Sequence, residues 1–150
     1  FNERRLFVVN LHLRSKGGDD PIFGRRQPRT TASTARRTPQ AEVVAGFVEE
    51  LLRLDANARV VVLGDLNDFE NTRPLRALEA AGLEDLILRA PGEDRYTYVY
   101  TGLSQVLDHV LVSAALAEGA EVDAVHVNSD FAAAERASDH DPVVARLTIP

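Results

Sequence analysis

The sequence predicts a mixed α/β domain built on a mixed, largely antiparallel sheet, and three patterns in it carry that expectation. Residues 5–13 alternate, with Phe7, Val9, Leu11 and Leu13 on one face and Val8, Asn10 and His12 on the other, the period of a half-buried strand. Val43, Val44, Phe47, Val48, Leu51, Leu52 and Leu54 recur at helical spacing. Several short strand-like runs then follow one another late in the chain, so the sheet cannot be purely parallel.

Taken in order, the elements justify themselves locally. After the first strand, residues 14–38 lack clear periodicity and hold Gly17-Gly18, Pro21, Gly24 and Pro28, which reads as a long loop. Thr38 is the candidate N-cap of the following helix and Pro39 its first-turn residue, with the helix running to about residue 55. Arg59-Val60-Val61-Val62-Leu63, ended by Gly64, reads as a strand buried on both faces. A second helix begins at Asn71-Thr72-Arg73-Pro74 and ends at Gly82. Strands are expected at Tyr96–Tyr100, Gln105–Val112, Val122–Val127 and Val143–Leu147, with a short helix at Ala114–Glu118.

Composition excludes some classes of function. The 150 residues, 45% hydrophobic and 27% charged, suffice for one packed core. No apolar run reaches the roughly 18 residues of a membrane span. Without Cys there is neither a disulfide framework nor a thiolate metal site. The chain has no Met and opens directly on a strand-like pattern, so it is expected to be a piece of a longer protein, with any targeting segment outside it. Net charge is −6, but seven bases against two acids make residues 14–37 +5, leaving −11 to the rest. Such a basic segment, with Arg14 and Lys16 nearest the first strand, is either a phosphate-steering device or simply a solvated loop.

The polar residues that could do chemistry cluster at strand ends. Asp65 and Asn67 lie two apart, so an extended chain points them to one side, where they could hold a hydrated cation and orient a water; an Asx turn is the bland alternative. Alternation places Asp108 among Val106, Val110 and Val112, where an ionised carboxylate is costly unless paired, as it would be in orienting a histidine. His109 points the other way and reads as a packing residue. Ser138-Asp139-His140-Asp141-Pro142 puts three ionisable groups before the last strand: His140, held by a carboxylate, could act as a base or stabilise phosphorane charge. Asp141 reads as a loop cap and His126 as a structural histidine. His12 shares a strand face with Asn10.

The ordered set Asn10-Leu11-His12, Gly64-Asp65-Leu66-Asn67, Leu107-Asp108-His109-Val110 and Ser138-Asp139-His140-Asp141-Pro142 resembles the endonuclease/exonuclease/phosphatase (DNase I-like) superfamily. The match runs from about residue 5 to 148, and the segments 15–24 and 96–108 look like the secreted bacterial nuclease branch. The resemblance implies the C-terminal half of a four-layer α-β-β-α sandwich, the N-terminal half with its metal-ligating Glu lying upstream. It implies Mg²⁺ (or Mn²⁺ or Ca²⁺) as cofactor, held by Asp65, Asn67 and Asp139, and a catalytic set of His12, Asp65, Asn67, Asp108 and His140. Asp65 would position the attacking water, Asn67 the scissile phosphate, and His140, oriented by Asp108, would contact phosphate and move a proton. Asn10, Arg14, Lys16 and Asn67 would contact substrate, a nucleic acid. The implied location is extracellular. The isolated chain would bind metal weakly, be inactive or nearly so, and either self-associate across an exposed sheet face or pair with the missing half. The alternatives are a phosphatase or phospholipase C-type phosphodiesterase of the same superfamily, and a binding fragment without catalysis.

Overall fold

The computed structural model describes residues 3–149. Its centre is a four-stranded sheet in which β1 (Leu6–His12) pairs parallel with β2 (Arg59–Asp65), and β2 and β3 (Leu83–Asp85) flank β6 (Asp108–Ser113) antiparallel. The expected mixed, largely antiparallel sheet is therefore present. The alternation of β1 is observed too: Val8, Asn10 and His12 are exposed, while Phe7, Val9 and Leu11 pack on the core. β2 is central, so both its faces are covered, Val60 and Val62 toward the helices and Val61 toward the opposite side.

On the first face lie α1 (Thr34–Leu54) and α2 (Arg73–Ala80). Ala41, Ala45 and Val48 of α1 meet Leu75 and Leu78 of α2 over Val60, Val62 and Leu111. Small alanines let α1 approach closely. The contact stripe is therefore narrower than the apolar pattern, and Val43, Phe47 and Leu54 are left exposed. α1 also begins earlier than its sequence suggests. Ser33 rather than Thr38 occupies the N-cap position, and Pro39 falls inside the helix. Arg37 supplies the reason. Fully buried in that first stretch, it donates to Asp68 Oδ2 (2.9 Å), Ser33 Oγ (2.7 Å) and the Arg14 carbonyl (3.0 Å), which fixes a turn that the proline would otherwise discourage.

The second face is not bare over its centre, contrary to the expected exposed sheet. Val61, Val110 and Val112 are buried beneath α3 (Ala114–Ala117) and a ribbon of β7 (Glu121–Ala124) and β8 (Val143–Arg146). At the β1 end, Val8 is 57% exposed.

The expected strand Gln105–Val112 is two strands. β4 (Tyr98–Tyr100) and β5 (Leu103–Gln105) form a hairpin whose turn residues, Thr101 and Gly102, both have positive φ. The chain then breaks at Leu107, whose N–H donates to Thr97 Oγ1 and whose carbonyl accepts from Leu66 N. Asp108 consequently opens β6 instead of sitting mid-strand.

Candidate active site

Strand register alone assembles the first three polar groups. His12 pairs with Asp65 across β1–β2, and Asp65 pairs with Asp108 across β2–β6, so three strand ends present them in a row. Gly64 permits this approach: with φ of +124°, a Cβ there would stand 2.1 Å from the Leu11 carbonyl oxygen.

Asp65 and Asn67 do meet, by a turn rather than by extension. Asn67 adopts φ of +52°, and its N–H donates to Asp65 Oδ1 (2.8 Å). Its side-chain amide donates to Asp65 Oδ2 (2.8 Å) and to the Leu13 carbonyl (3.1 Å), which leaves the Asn67 carbonyl oxygen as the end available to a ligand. The Asx turn is therefore present, and it leaves that oxygen facing outward from the turn without excluding the expected role. His12 Nε2 stands 3.5 Å from Asp65 Oδ2 on an open side chain.

Asp108 is the orienting carboxylate. Its Oδ2 accepts from Thr97 Oγ1 and meets His140 Nδ1, both at 2.7 Å. With Nδ1 spent on the carboxylate, Nε2 is the nitrogen left for another partner. His140 is placed by a bridge to Tyr98 and by Asn128, whose amide donates to the His140 carbonyl. Asp141 keeps that loop in shape by accepting from the N–H groups of Asn128 and Ser129, the capping role its position suggested.

The electrostatics are uneven. Burial and then the neighbouring Asp108 push the Asp65 carboxyl above the usual carboxylate range, despite the Asn67 N–H. The hydrogen bond that His140 donates to Asp108 holds its imidazolium above the usual histidine range, against the effect of burial. Donor atoms of Asp65, Asp108 and His140 all lie within 4.8 Å of one another. The two neighbouring carboxylates and the free side-chain oxygen of Asn67 offer oxygen donors of the kind a hard divalent cation prefers.

These groups line a cavity of about 940 Å³. His12, Lys16, Asp65, Asn67, Asp108, Asp139 and His140 all face it; Asn10 and Arg14 are not among its lining residues. Asp139 is exposed on the rim, and the three converging donors are Asp65, Asp108 and His140. Lys16 is already engaged: its Nζ donates to Asp68 Oδ1 (2.7 Å) and lies 4.0 Å from the Phe69 ring centroid, and burial lowers its pKa in spite of that pairing. Arg14 contributes backbone only, its N–H donating to Gln40 Oε1. Sequence reasoning missed Thr97, Asp68 and Arg37. Asp68 follows Asn67 directly and was the one with a visible signal; Thr97 and Arg37 acquire their roles through distant partners.

His109 is a packing residue, 1% exposed, with Nδ1 on Asp85 Oδ2 (2.6 Å) and Nε2 on the Asp68 carbonyl (3.0 Å). His126 bonds Asp141 and stacks on Tyr96 at 4.0 Å, also a structural arrangement.

The sequence model of the Endonuclease/Exonuclease/phosphatase family matches residues 2–140. The chain belongs to that family. Members of the endonuclease/exonuclease/phosphatase family are hydrolases of phosphate esters and generally depend on a divalent metal. No curated protein sequence matches the chain. Among solved structures it resembles beta toxin from Staphylococcus aureus (TM-score 0.70, 16% identity, covering 97% of this chain and 54% of that one). It also resembles truncated TDP2 from Caenorhabditis elegans (0.62, 17%, 93% and 53%). A third is a mannosyl-6-phosphatase from Bacteroides thetaiotaomicron (0.55, 21%, 77% and 46%). At these identities the likeness is one of fold. The chain spans about half the length of each.

Proposed function

We propose that this chain carries the C-terminal part of the active site of a divalent-metal-dependent phosphodiesterase, a nuclease acting on DNA or RNA. The observation that supports it most is the convergence of Asp65 at the end of β2, Asp108 at the start of β6 and His140 on one cavity. Asp65, Asn67 through its side-chain oxygen, and Asp139 from the rim would hold the cation. When bound, it would neutralise phosphate charge that the protein cannot neutralise alone. Asp65 orients the attacking water and takes its proton. His140, kept protonated by Asp108, holds a phosphate oxygen through Nε2 and delivers a proton to the leaving oxygen. His12 contacts the phosphate from the opposite side of Asp65. The exposed Arg25, Arg26 and Arg36 would steer a polyanion toward the opening.

The remaining strands of the domain, with further metal ligands, are proposed to come from residues N-terminal to this chain, docking on the β1 side where Val8 is exposed. Self-association through the same face is the alternative, and sedimentation of a stable monomer would count against both. The extracellular setting expected from the secreted nucleases belongs to the same proposal. Among the described residues no helix is long and apolar enough to cross a membrane. The function is tested by Mg²⁺-dependent hydrolysis of plasmid DNA, RNA, sphingomyelin and a phosphomonoester by the full-length protein. Nucleic acid should be cut, and His140→Ala should abolish cutting while leaving the fold intact. Preference for the lipid or the monoester would refute the nuclease reading.

A further inference from the structure

The cavity wall beside His140 is aromatic. Tyr98 and Tyr100 stand two apart on β4 and so share one face of it. Their ring centroids are 6.3 Å apart with planes inclined by only 10°, and the Tyr98 ring lies 4.7 Å from that of His140. His140, Tyr98 and Tyr100 thus form one row leading outward from the catalytic cluster. Its outer member is 58% exposed although large and apolar.

The charges in the cavity explain what such a row is for. Among the described residues, five carboxylates line it, Asp19, Asp20, Asp65, Asp108 and Asp139, against Lys16, Arg29 and the two histidines His12 and His140. Lys16 is committed to Asp68. Binding to a duplex relies on many cations along two phosphate backbones, and the described lining of this cavity supplies few of them. A single strand offers unpaired bases, and base-on-aromatic stacking is worth a large share of binding where cations are few.

We propose that Tyr98 and Tyr100 are a stacking platform for the bases of single-stranded nucleic acid, placing the adjoining phosphate at His140. This rests on the nuclease reading and narrows it to unpaired substrate. The platform is tested by anisotropy of a labelled single-stranded 12-mer and its duplex, with the 150-residue chain, Mg²⁺ present. The single strand should bind at least tenfold tighter. Tyr100→Ala should weaken that binding about tenfold, the loss of one stack, and Tyr100→Phe should restore it. In the full-length protein, the ratio of kcat/KM on the 12-mer to that on bis-p-nitrophenyl phosphate should fall by a similar factor in Tyr100→Ala. Equal or tighter duplex binding, an unaltered Tyr100→Ala, or Tyr100-dependent binding to sphingomyelin vesicles in place of the oligonucleotide would each overturn the platform. The expected binding pattern without cleavage by the full-length protein would overturn the nuclease reading and keep the platform.

Discussion

Asp108 and His109 are neighbours on β6, and each belongs to a histidine–carboxylate pair on an opposite face of that strand. Asp108 meets His140 at 2.7 Å, and His109 meets Asp85 at 2.6 Å. Chemically the pairs are the same, and in both the histidine is held above its ordinary pKa. For His109, burial pulls the other way and the Asp85 bond and charge outweigh it. The difference is access. The His109 and Asp85 side chains are 0% and 1% exposed, and the second imidazole nitrogen is used up on the Asp68 carbonyl. His140 and Asp108 are 25% and 18% exposed, and the second nitrogen is free for substrate. A polar pair becomes reactive when one of its valences is left for something other than the protein.

Breaking the closed pair should have the largest effect. His109→Ala strands the Asp85 carboxylate in the core, a loss of about 3–5 kcal/mol. The thermal midpoint should fall by about 10 °C, with activity lost only as the protein unfolds. Breaking the open pair should do the reverse: His140→Ala should lower kcat/KM by about 10²–10⁴-fold, with a stability change under about 1 kcal/mol in urea. Similar stability losses in the two variants would remove the distinction.

Asp65 sharpens it from the acidic side. Its folded pKa is raised, so the folded state binds more protons than the unfolded one between pH 3.8 and that raised value. Stability is therefore lost as pH rises through the window, and the full cost is present above the raised value. In EDTA at pH 7, Asp65→Asn should raise the melting temperature by about 2 °C. Mg²⁺ should then stabilise the wild type and not the variant; a Mg²⁺ response in Asp65→Asn would place the cation elsewhere. The smallest effect concerns pH. The raised His140 pKa contributes stability that is complete below about pH 6.5 and lost as pH rises through the folded value. The urea-midpoint gap between wild type and His140→Ala should accordingly narrow from pH 5.5 to pH 9.

The legible parts of this protein were those in which one segment decides its own state. The alternation of β1, the β-branched run of β2 and the Pro and Gly bounds of α2 all speak locally. Asp65 and His140 stood out because ionisable groups beside apolar strands require partners, whereas Asp108, which the alternation placed within a strand, opens β6 instead. The start of α1 was not, because Pro39 argues against a helix that Arg37 stabilises through Asp68, 31 residues away. Thr97 is a common strand residue until its hydroxyl meets Asp108. β3, at three residues, carries too little pattern to read. Lys16 looked like a free cation because a sequence does not show that Asp68 will claim it.

Gly64 has a consequence for any mutational map of this protein. The hydrogen it carries in place of a methyl group lets Leu11 press against β2 one residue before Asp65. Saturation mutagenesis scored on activity should find every substitution at Gly64 as damaging as those at Asp65, although Gly64 offers no group to any substrate. A second score, on abundance, would separate them: Gly64 variants should disappear from the soluble pool, while Asp65 variants accumulate as folded, silent protein.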